Sequence, residues 1–405
     1  MTRMLESDEA ARRLGVKVAT LYAYVSRGLL VSHPASTGRR RLFDIDEIER
    51  LARRSHQGRA VETRMVSITT GITQLTDAGP VYRGRPATGM ATSLAFEEVA
   101  EWLWAPGDAP GPDQPWEAPP LGRPPQIGSW DRLAWAGVMS GALDPLRADL
   151  RPEAVTRAAR RAAASMVEVL PRAGRGNSDR GSAPMALVLD DGRRRSGSMA
   201  ERLTLRLSPA PTDELVRAVN AALVLLADHE LATSTVAVRV AASTRADVCN
   251  SLLAGIGTVS GPLHGGASQL AHSLLVEAER HGVERALNDT LRWQGALAGF
   301  GHSVYRDGDP RFTVLLERFE ELASDEQVQM VRALIGLAAD HTIPPPNVDL
   351  GLAAMAWATG MPPDAGQTLF AVARVAGWVA HYLEELGERP LRYRARAIYA
   401  ASNRS

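Results

Sequence analysis

The chain has 405 residues, of which 45% are hydrophobic and 23% charged, and its formal net charge is zero. This length predicts two or three folding units, and the composition is typical of a globular protein. A single cysteine, Cys249, excludes an internal disulfide and a thiolate metal cluster, so a buried small side chain is the favoured interpretation. The chain shows no signal peptide and no apolar stretch of about 20 residues, so we expect a cytoplasmic protein.

The N-terminal segment is more basic than the rest. Residues 1–60 hold 12 Lys/Arg against 7 Asp/Glu. Ser7 and the acidic residues after it predict the start of a helix that ends near Gly15. A second helix follows and ends near Arg27, then a basic turn, a short strand and a helix from Asp44. Two short helices joined by a turn indicate a helix-turn-helix module.

The run EAARRLGVKVATLYAYVSRGLL resembles the winged helix-turn-helix of MerR-type regulators and excisionases. The resemblance implies a recognition helix for the major groove of double-stranded DNA and a wing on its backbone. The alternative is a solvated basic turn on a module that serves protein contacts. DNA binding is favoured because the basic turn and a polar helix face coincide. The candidate DNA-binding residues are Lys17, Thr20, Tyr24, Arg27, Arg39, Arg40 and Arg41.

The remainder is predicted to be mostly α-helical. Residues 105–126 hold 8 of the 25 prolines and predict an irregular loop, and the Gly- and Ser-rich segment 171–184 predicts a flexible one. Short strands are expected only in the wing and at Ser67–Thr73 and Pro80–Arg83. Helical periodicity covers 94–104, 152–169, 213–228, 268–280, 327–339, 350–359 and 366–385.

Four segments place a polar residue beside glycines or in a short loop. They contain His229 (DHELATST), His264 (GPLHGGA), His302 (GFGHSVYRDGDPR) and Asp349 (PNVD). Glycine lets backbone approach a ligand closely, and loops often carry function. One such segment is weak evidence, but four together indicate a site. The spacings of 35, 38 and 47 residues lack the paired ligands of a zinc motif, so no metal is expected.

The motifs GPLHGGA, GFGHSVYRDGDPR and NVD, in this order, resemble citrate synthase and 2-methylcitrate synthase. The segments FAVARVAGWVAHYLEE and RARAIY extend the likeness, which covers roughly residues 65–405 and is weaker between about 105 and 200. The resemblance implies a mostly α protein with a winged helix-turn-helix at 1–60. A large helical domain would comprise 61–265 and 376–405, and a small helical domain 266–375. It also implies a homodimer with an active site in the cleft between the helical domains.

The resemblance also implies a reaction. Asp349 would remove a proton from the methyl group of acetyl-CoA or another short acyl-CoA, and His264 would stabilise the resulting enolate. His302 would polarise the ketone of oxaloacetate and protonate the alkoxide. Hydrolysis would then release citrate and CoA. The CoA thioester is a substrate, and no further cofactor is implied.

The resemblance assigns the remaining site residues to the two substrates. Guanidinium groups suit carboxylates because they bind both oxygens. Arg394 would reach across to the site of the neighbouring subunit. The assignments are Arg311, Arg374 and Arg394 to the carboxylates, His229 to the same substrate, Ser234 to the thioester and Arg306 to a CoA phosphate.

Some positions depart from the family pattern. Ala232 and Ser268 stand where asparagines are usual, 350–352 is Leu-Gly-Leu, and Ala395 replaces a proline. These changes leave the acyl donor open. The alternative function is a transcription factor whose synthase-like body senses oxaloacetate or acyl-CoA. Asp349 favours an enzyme, because a sensor needs the arginines but not the base.

Overall fold

The computed structural model describes residues 4–14, 16, 18–26, 30–34, 41–45, 47–48, 68–105, 116–173, 197–261 and 264–394. The chain separates into two compact units, Met1–Thr69 and Thr70–Ser405. Within the described ranges, no helix is both long enough and apolar enough to cross a lipid bilayer.

The N-terminal unit has two helices and a small antiparallel sheet. Its central strand β3 pairs with β1 on one side and with β2 on the other. The predicted pair of helices and the wing strand are confirmed, whereas the helix predicted from Asp44 falls largely outside the described residues. The elements are β1 (Met4–Glu6), α1 (Ser7–Leu14), α2 (Val18–Ser26), β2 (Ser32–Pro34) and β3 (Arg41–Asp44).

A separate apolar cluster stabilises this unit. Leu21 of α2 and Phe43 of β3 are fully buried in it, together with Leu5, Leu14 and Ile48. Burial of a Leu or Phe side chain contributes about 1.5–3 kcal/mol. The unit therefore has a small hydrophobic core of its own.

The second unit opens with an antiparallel meander of β4 (Thr73–Thr76), β5 (Gly79–Tyr82) and β6 (Arg85–Pro86). Of the strand predicted at 67–73, residue 67 lies outside the described part of the chain, and the prediction is wrong for 68–72, because pairing begins only at Thr73. A tight turn fixes this register, since Thr76 faces Gly79 across two residues and Gly79 has a φ of 110°. The strand predicted at 80–83 is confirmed, shifted by one residue.

Helices form the rest of the described second unit, as the sequence predicts. Residues 116–126 are irregular, in agreement with the proline content. The predicted helices end within three residues of the observed ones. Seven further described helices were not predicted, and two of them, Thr233–Ser243 and Val248–Val259, are rich in Ser, Thr and Val, which favour helix only weakly. The other five are Ala87–Ala91, Ser129–Ala142, Met199–Leu207, Val283–Gln294 and Pro310–Leu322. The helices are α3 (Ala87–Ala91), α4 (Phe96–Trp104), α5 (Ser129–Ala142), α6 (Pro152–Glu168), α7 (Met199–Leu207), α8 (Asp213–Leu226), α9 (Thr233–Ser243), α10 (Val248–Val259), α11 (Ala267–His281), α12 (Val283–Gln294), α13 (Pro310–Leu322), α14 (Asp325–Asp340), α15 (Val348–Ala358) and α16 (Ala365–Leu386).

Helix α16 runs through the core and is buried around nearly its whole circumference, as expected for a central helix. Trp378 packs against Gly255 of α10, where a Cβ would lie only 2.8 Å from the indole ring. The amide of Gly377 donates to the carbonyl of Ala227 at 2.9 Å. This close packing places the polar residues of α16, Arg374 among them, inside the protein next to the end of α8.

Candidate functional site

The three histidines singled out in the sequence line one cavity of about 710 Å³. His229 belongs to the loop between α8 and α9, His264 to the turn before α11, and His302 to the loop before α13. The stretch 229–233 forms a continuous part of the wall. The fold thus joins segments that are far apart in the chain.

The loop of His302 is fastened to the segment that carries Asp349. Gly301 donates its amide to the carbonyl of Pro345 at 2.7 Å, and the side-chain amide of Asn347 donates to the carbonyl of Gly301 at 2.7 Å. Asn347 Oδ1 accepts from the amide of Asp349 at 3.0 Å. Gly301 has a φ of 76°, a conformation that favours glycine. These bonds fix the two segments to each other.

The same loop fixes the tautomer of His302. Its Nδ1 accepts hydrogen bonds from the amides of Val304 at 3.1 Å and Tyr305 at 3.2 Å. A neutral ring therefore carries its proton on Nε2. The ring stacks on Tyr305 with a centroid distance of 4.8 Å. Burial, and then the nearby charge of Arg311, lower the pKa of His302, so the ring is neutral at neutral pH.

Arg311 lies beside His302 and is held by a buried carboxylate. Asp309 accepts from Arg311 Nε at 3.0 Å and Nη2 at 2.8 Å, and from the amide of Val348 at 3.0 Å. Arg311 Nη2 is also 3.4 Å from His302 Nε2. Both of these nitrogens are donors, so no hydrogen bond joins them. They converge instead on a place that an acceptor oxygen can occupy.

Two further buried side chains, Arg374 and His229, have polar atoms without a hydrogen-bond partner among the described residues. Arg374 of α16 is 1% exposed, and within the described part of the chain its Nε and Nη1 have no hydrogen-bond partner. His229 Nε2 is also buried without a partner among these residues. Burial, then Arg311 and Arg374, lower the pKa of His229. Leaving a buried cation unpaired is costly, so this arrangement indicates a site for an anion.

His264 occupies a different environment. Its Nε2 lies 2.9 Å from Ser234 Oγ, which also accepts a hydrogen bond of 3.4 Å from Trp378 Nε1. The ring meets Phe370 edge to face at 5.7 Å. Burial, and then Arg374, lower the pKa of His264. The structure therefore brings together Ser234 and His264, which the sequence analysis assigned separately to the thioester.

Asp349 lies in the first turn of α15 and is only partly exposed. Burial raises the pKa of its carboxyl to about 6, although Arg311 opposes the shift. A carboxyl with this pKa is a better proton acceptor than an ordinary aspartate, yet it is ionised at neutral pH. Asp349 is not among the residues that line the cavity wall.

Among the predicted binding residues outside the cavity lining, Arg306 and Arg394 are exposed. Arg311, Arg374 and Ser234 do not line the cavity either, but they are buried. The sequence interpretation missed Asp309 and Tyr305, which hold Arg311 and His302. An Asp before Pro at a helix start signals an N-cap, and Asp309 does accept the amide of Arg311 at 3.1 Å. Its ion pair with the Arg311 side chain has no such sequence signal.

The predicted DNA-binding residues are only partly described. Thr20 and Tyr24 of α2 are half-buried, and Tyr24 packs against the apolar cluster of the N-terminal unit. Arg41 is exposed on β3. The other four, Lys17, Arg27, Arg39 and Arg40, fall outside the described residues.

Comparisons with known proteins match both parts of the chain. A family model described as the citrate synthase C-terminal domain matches residues 132–396, and a helix-turn-helix domain model matches residues 4–56. Citrate synthase 2 of Bacillus subtilis is 35% identical over 201 residues, which are 48% of this chain and 53% of that protein. 2-Methylcitrate synthase 2 of Corynebacterium glutamicum is 33% identical over 222 residues, 50% of this chain and 58% of that protein.

The fold also matches a solved structure. Citrate synthase from Thermoplasma acidophilum, solved as a ternary complex with carboxymethyl coenzyme A and oxaloacetate, superimposes with a TM-score of 0.66 at 24% identity, over 84% of this chain and 96% of that one. The chain spans only about half the length of the curated relatives that it matches in sequence.

Proposed function

Because this chain belongs to the citrate synthase family, we propose that it is an acyltransferase that condenses acetyl-CoA, or another short acyl-CoA, with oxaloacetate. The products are citrate, or its alkyl homologue, and CoA. The observation that carries this proposal is the buried set of unpaired nitrogens on His229 and Arg374 beside the converging donors of His302 and Arg311. The acyl group becomes an alkyl group on transfer.

Oxaloacetate fits this set because it brings two carboxylates and a ketone. Arg374 and Arg311 supply the positive charge for the carboxylates, and guanidinium forks bind both oxygens of such groups. The proton on His302 Nε2 points to the ketone oxygen in our assignment. Arg394 completes the site from the neighbouring subunit of a homodimer.

The proposed reaction has three steps. Asp349 removes a proton from the acyl methyl or methylene group, and His264 donates a hydrogen bond to the thioester oxygen as negative charge develops there. The enolate carbon attacks the ketone, and His302 gives its Nε2 proton to the new alkoxide. The proton that Asp349 removed then returns to His302 Nε2, which restores both groups. Water then cleaves the thioester. Ser234 lies beside the thioester, and Arg306 contacts a CoA phosphate.

An assay of CoA release tests this proposal. Wild type with oxaloacetate and acetyl- or propionyl-CoA should release CoA, and Asp349→Ala should reduce kcat by about a thousandfold or more while oxaloacetate binding persists. Asp325→Ala, at an exposed helix start, is the matched control and should keep wild-type activity. If wild type and Asp349→Ala both bind oxaloacetate but neither releases CoA, the protein is a sensor and not an enzyme.

Mixed dimers test the shared site. Asp349→Ala and Arg394→Ala should each be inactive alone. Random mixed dimers of the two should regain about a quarter of wild-type activity, because half of the dimers are mixed and one of their two sites is complete. No recovery would place Arg394 outside the partner's site.

A second function is favoured by the helix-turn-helix match over residues 4–56. We propose that this unit binds double-stranded DNA, with Lys17, Thr20, Tyr24 and Arg27 in the groove and the basic turn on phosphates. The full chain should bind a duplex more weakly as salt rises. Replacing Arg39, Arg40 and Arg41 together by alanine should reduce both the affinity and the salt dependence. Unchanged binding by this triple variant would contradict the proposal.

A further inference from the structure

His381 is a buried histidine that the proposed reaction does not use. It lies on α16 and is fully buried. Its Nε2 is 3.3 Å from Asp228 Oδ2, and its Nδ1 is 2.9 Å from Arg239 Nη1. The ring therefore bridges a carboxylate on one side and a guanidinium on the other.

These contacts fix the tautomer of His381. A guanidinium can only donate, so Nδ1 must be the acceptor and carries no proton. The ring proton is on Nε2, where it is donated to Asp228. Arg239 cannot turn away, because Glu384 and Glu385 hold it at 2.6 Å and 2.9 Å. A proton on Nδ1 would place two N–H groups against each other, so the contact with Arg239 selects the Nε2–H tautomer.

Asp228 in turn supports the loop that forms the cavity wall. Its Oδ2 accepts the amide of Glu230 at 3.1 Å, and the Tyr82 hydroxyl donates to its carbonyl at 3.1 Å. Glu230 has a φ of 56°, which is unfavourable for a residue with a side chain. The Asp228 carboxylate offsets this strain. The turn that it supports contains His229.

The packing leaves Asp228 no alternative position. A Cβ at Gly377 of α16 would collide with the Asp228 carboxylate and with the carbonyl of Ala227. The carboxylate is therefore enclosed between α16 and the loop. The direction of its Oδ2 depends on the donor that His381 supplies.

We propose that His381 is a positioning residue for the keto-acid site. As the Nε2–H tautomer it holds Asp228 beneath the turn at Glu230, and thereby holds His229 at the distance that the keto acid requires. This inference rests on the proposed function for its effect on catalysis. Its effect on the loop does not depend on that function.

Two substitutions test the proposal kinetically. His381→Phe keeps the ring volume but removes both nitrogens, and should raise the KM for oxaloacetate about tenfold, as expected for one lost hydrogen bond to a charged group. The KM for acyl-CoA should change less than twofold. His381→Gln can donate to Asp228 again, and should bring the KM for oxaloacetate to within about threefold of wild type. His281→Phe, at an exposed position on α11, is the control.

A merely structural role would lower the active fraction without this selective change in KM or its rescue by Gln. Equal KM values in His381→Phe and wild type would overturn the proposal. If wild type has no synthase activity, the proposed function fails and the loop itself decides the inference. Hydrogen exchange of the 228–233 amides should then be about tenfold faster in His381→Phe than in His381→Gln. Equal exchange in the two variants would overturn the inference.

Discussion

The two sides of the cavity differ in how their polar groups are satisfied. On the side proposed for the keto acid (the keto-acid side), His302 Nε2 and Arg311 Nη2 converge, and Arg374 has donors without a hydrogen-bond partner among the described residues. On the side proposed for the thioester (the thioester side), His264 and Ser234 place their polar atoms 2.9 Å apart. The first side therefore offers donors to an anion, whereas the second satisfies its own polar atoms.

This difference assigns different tasks to the two sides. The keto-acid side is preorganised, because Asp309 holds Arg311 and backbone amides hold His302 before any ligand arrives. Binding there gains the hydrogen bonds of an anion without reorganising the donors. In the proposed reaction, His264 must share or release Ser234 when it donates to the thioester.

The largest expected effect comes from removing Arg374. Arg374→Leu should reduce kcat/KM for oxaloacetate by about a thousandfold, because a charge-assisted bidentate contact disappears from a buried site. The same change should leave the melting temperature unchanged or raise it, because burial disfavours the unpaired guanidinium and lowers its pKa. Steady-state kinetics and thermal denaturation measure the two effects.

Arg217→Leu, at an exposed position on α8, is the matched control and should change neither quantity appreciably. A variant Arg374→Leu that loses stability and activity together would contradict the comparison. It would show that Arg374 stabilises the folded protein, and that the keto-acid side is not an anion-binding site.

The next effect concerns the carboxylate that organises this side. Asp309→Asn removes the charge that pairs with Arg311 and weakens the acceptor for the amide of Val348. Loss of one partner from a buried ion pair costs about 3–5 kcal/mol in the free energy of unfolding. Denaturant unfolding measures this cost. Asp325→Asn, which is exposed, should cost less than about 0.5 kcal/mol, and an equally small cost for Asp309→Asn would contradict the pairing.

The contrast between Arg374 and Asp309 also shows what the sequence could predict. Arg374, His264 and His302 follow from motifs that are read along the chain, as do the long helices with apolar periodicity. Asp309 was missed because its motif signals only a helix cap, whereas its ion pair with Arg311 and its contact with the amide of Val348 depend on the folded loop. The strand at 73–76 was misplaced because the turn at Gly79, and not apolar alternation, sets the register. Long-range pairing has no signature in a single sequence.

A pH profile sharpens the assignment of Asp349. As the base it must be ionised, so kcat/KM should rise with pH up to its pKa of about 6 and then level off. Below that value the rate should fall about tenfold per pH unit.

The raised pKa of Asp349 also means that the folded state binds this proton more tightly than the unfolded chain does. Ionisation of Asp349 therefore reduces stability as the pH rises from about 4 to 6, and Asp349→Asn should remove that part of the pH dependence.

The smallest effect tests the thioester side. Ser234→Ala removes one neutral hydrogen bond from His264, which is worth about 1 kcal/mol, so kcat with acyl-CoA should fall only about fivefold. The KM for oxaloacetate should stay within twofold, because Arg374 and the clamped loop of His302 are untouched. Ser273→Ala, on the exposed face of α11, is the control and should leave both constants unchanged. A loss of a hundredfold or more would show that Ser234 is as firmly required as the keto-acid groups. The distinction between a preorganised side and an exchangeable one would then be wrong.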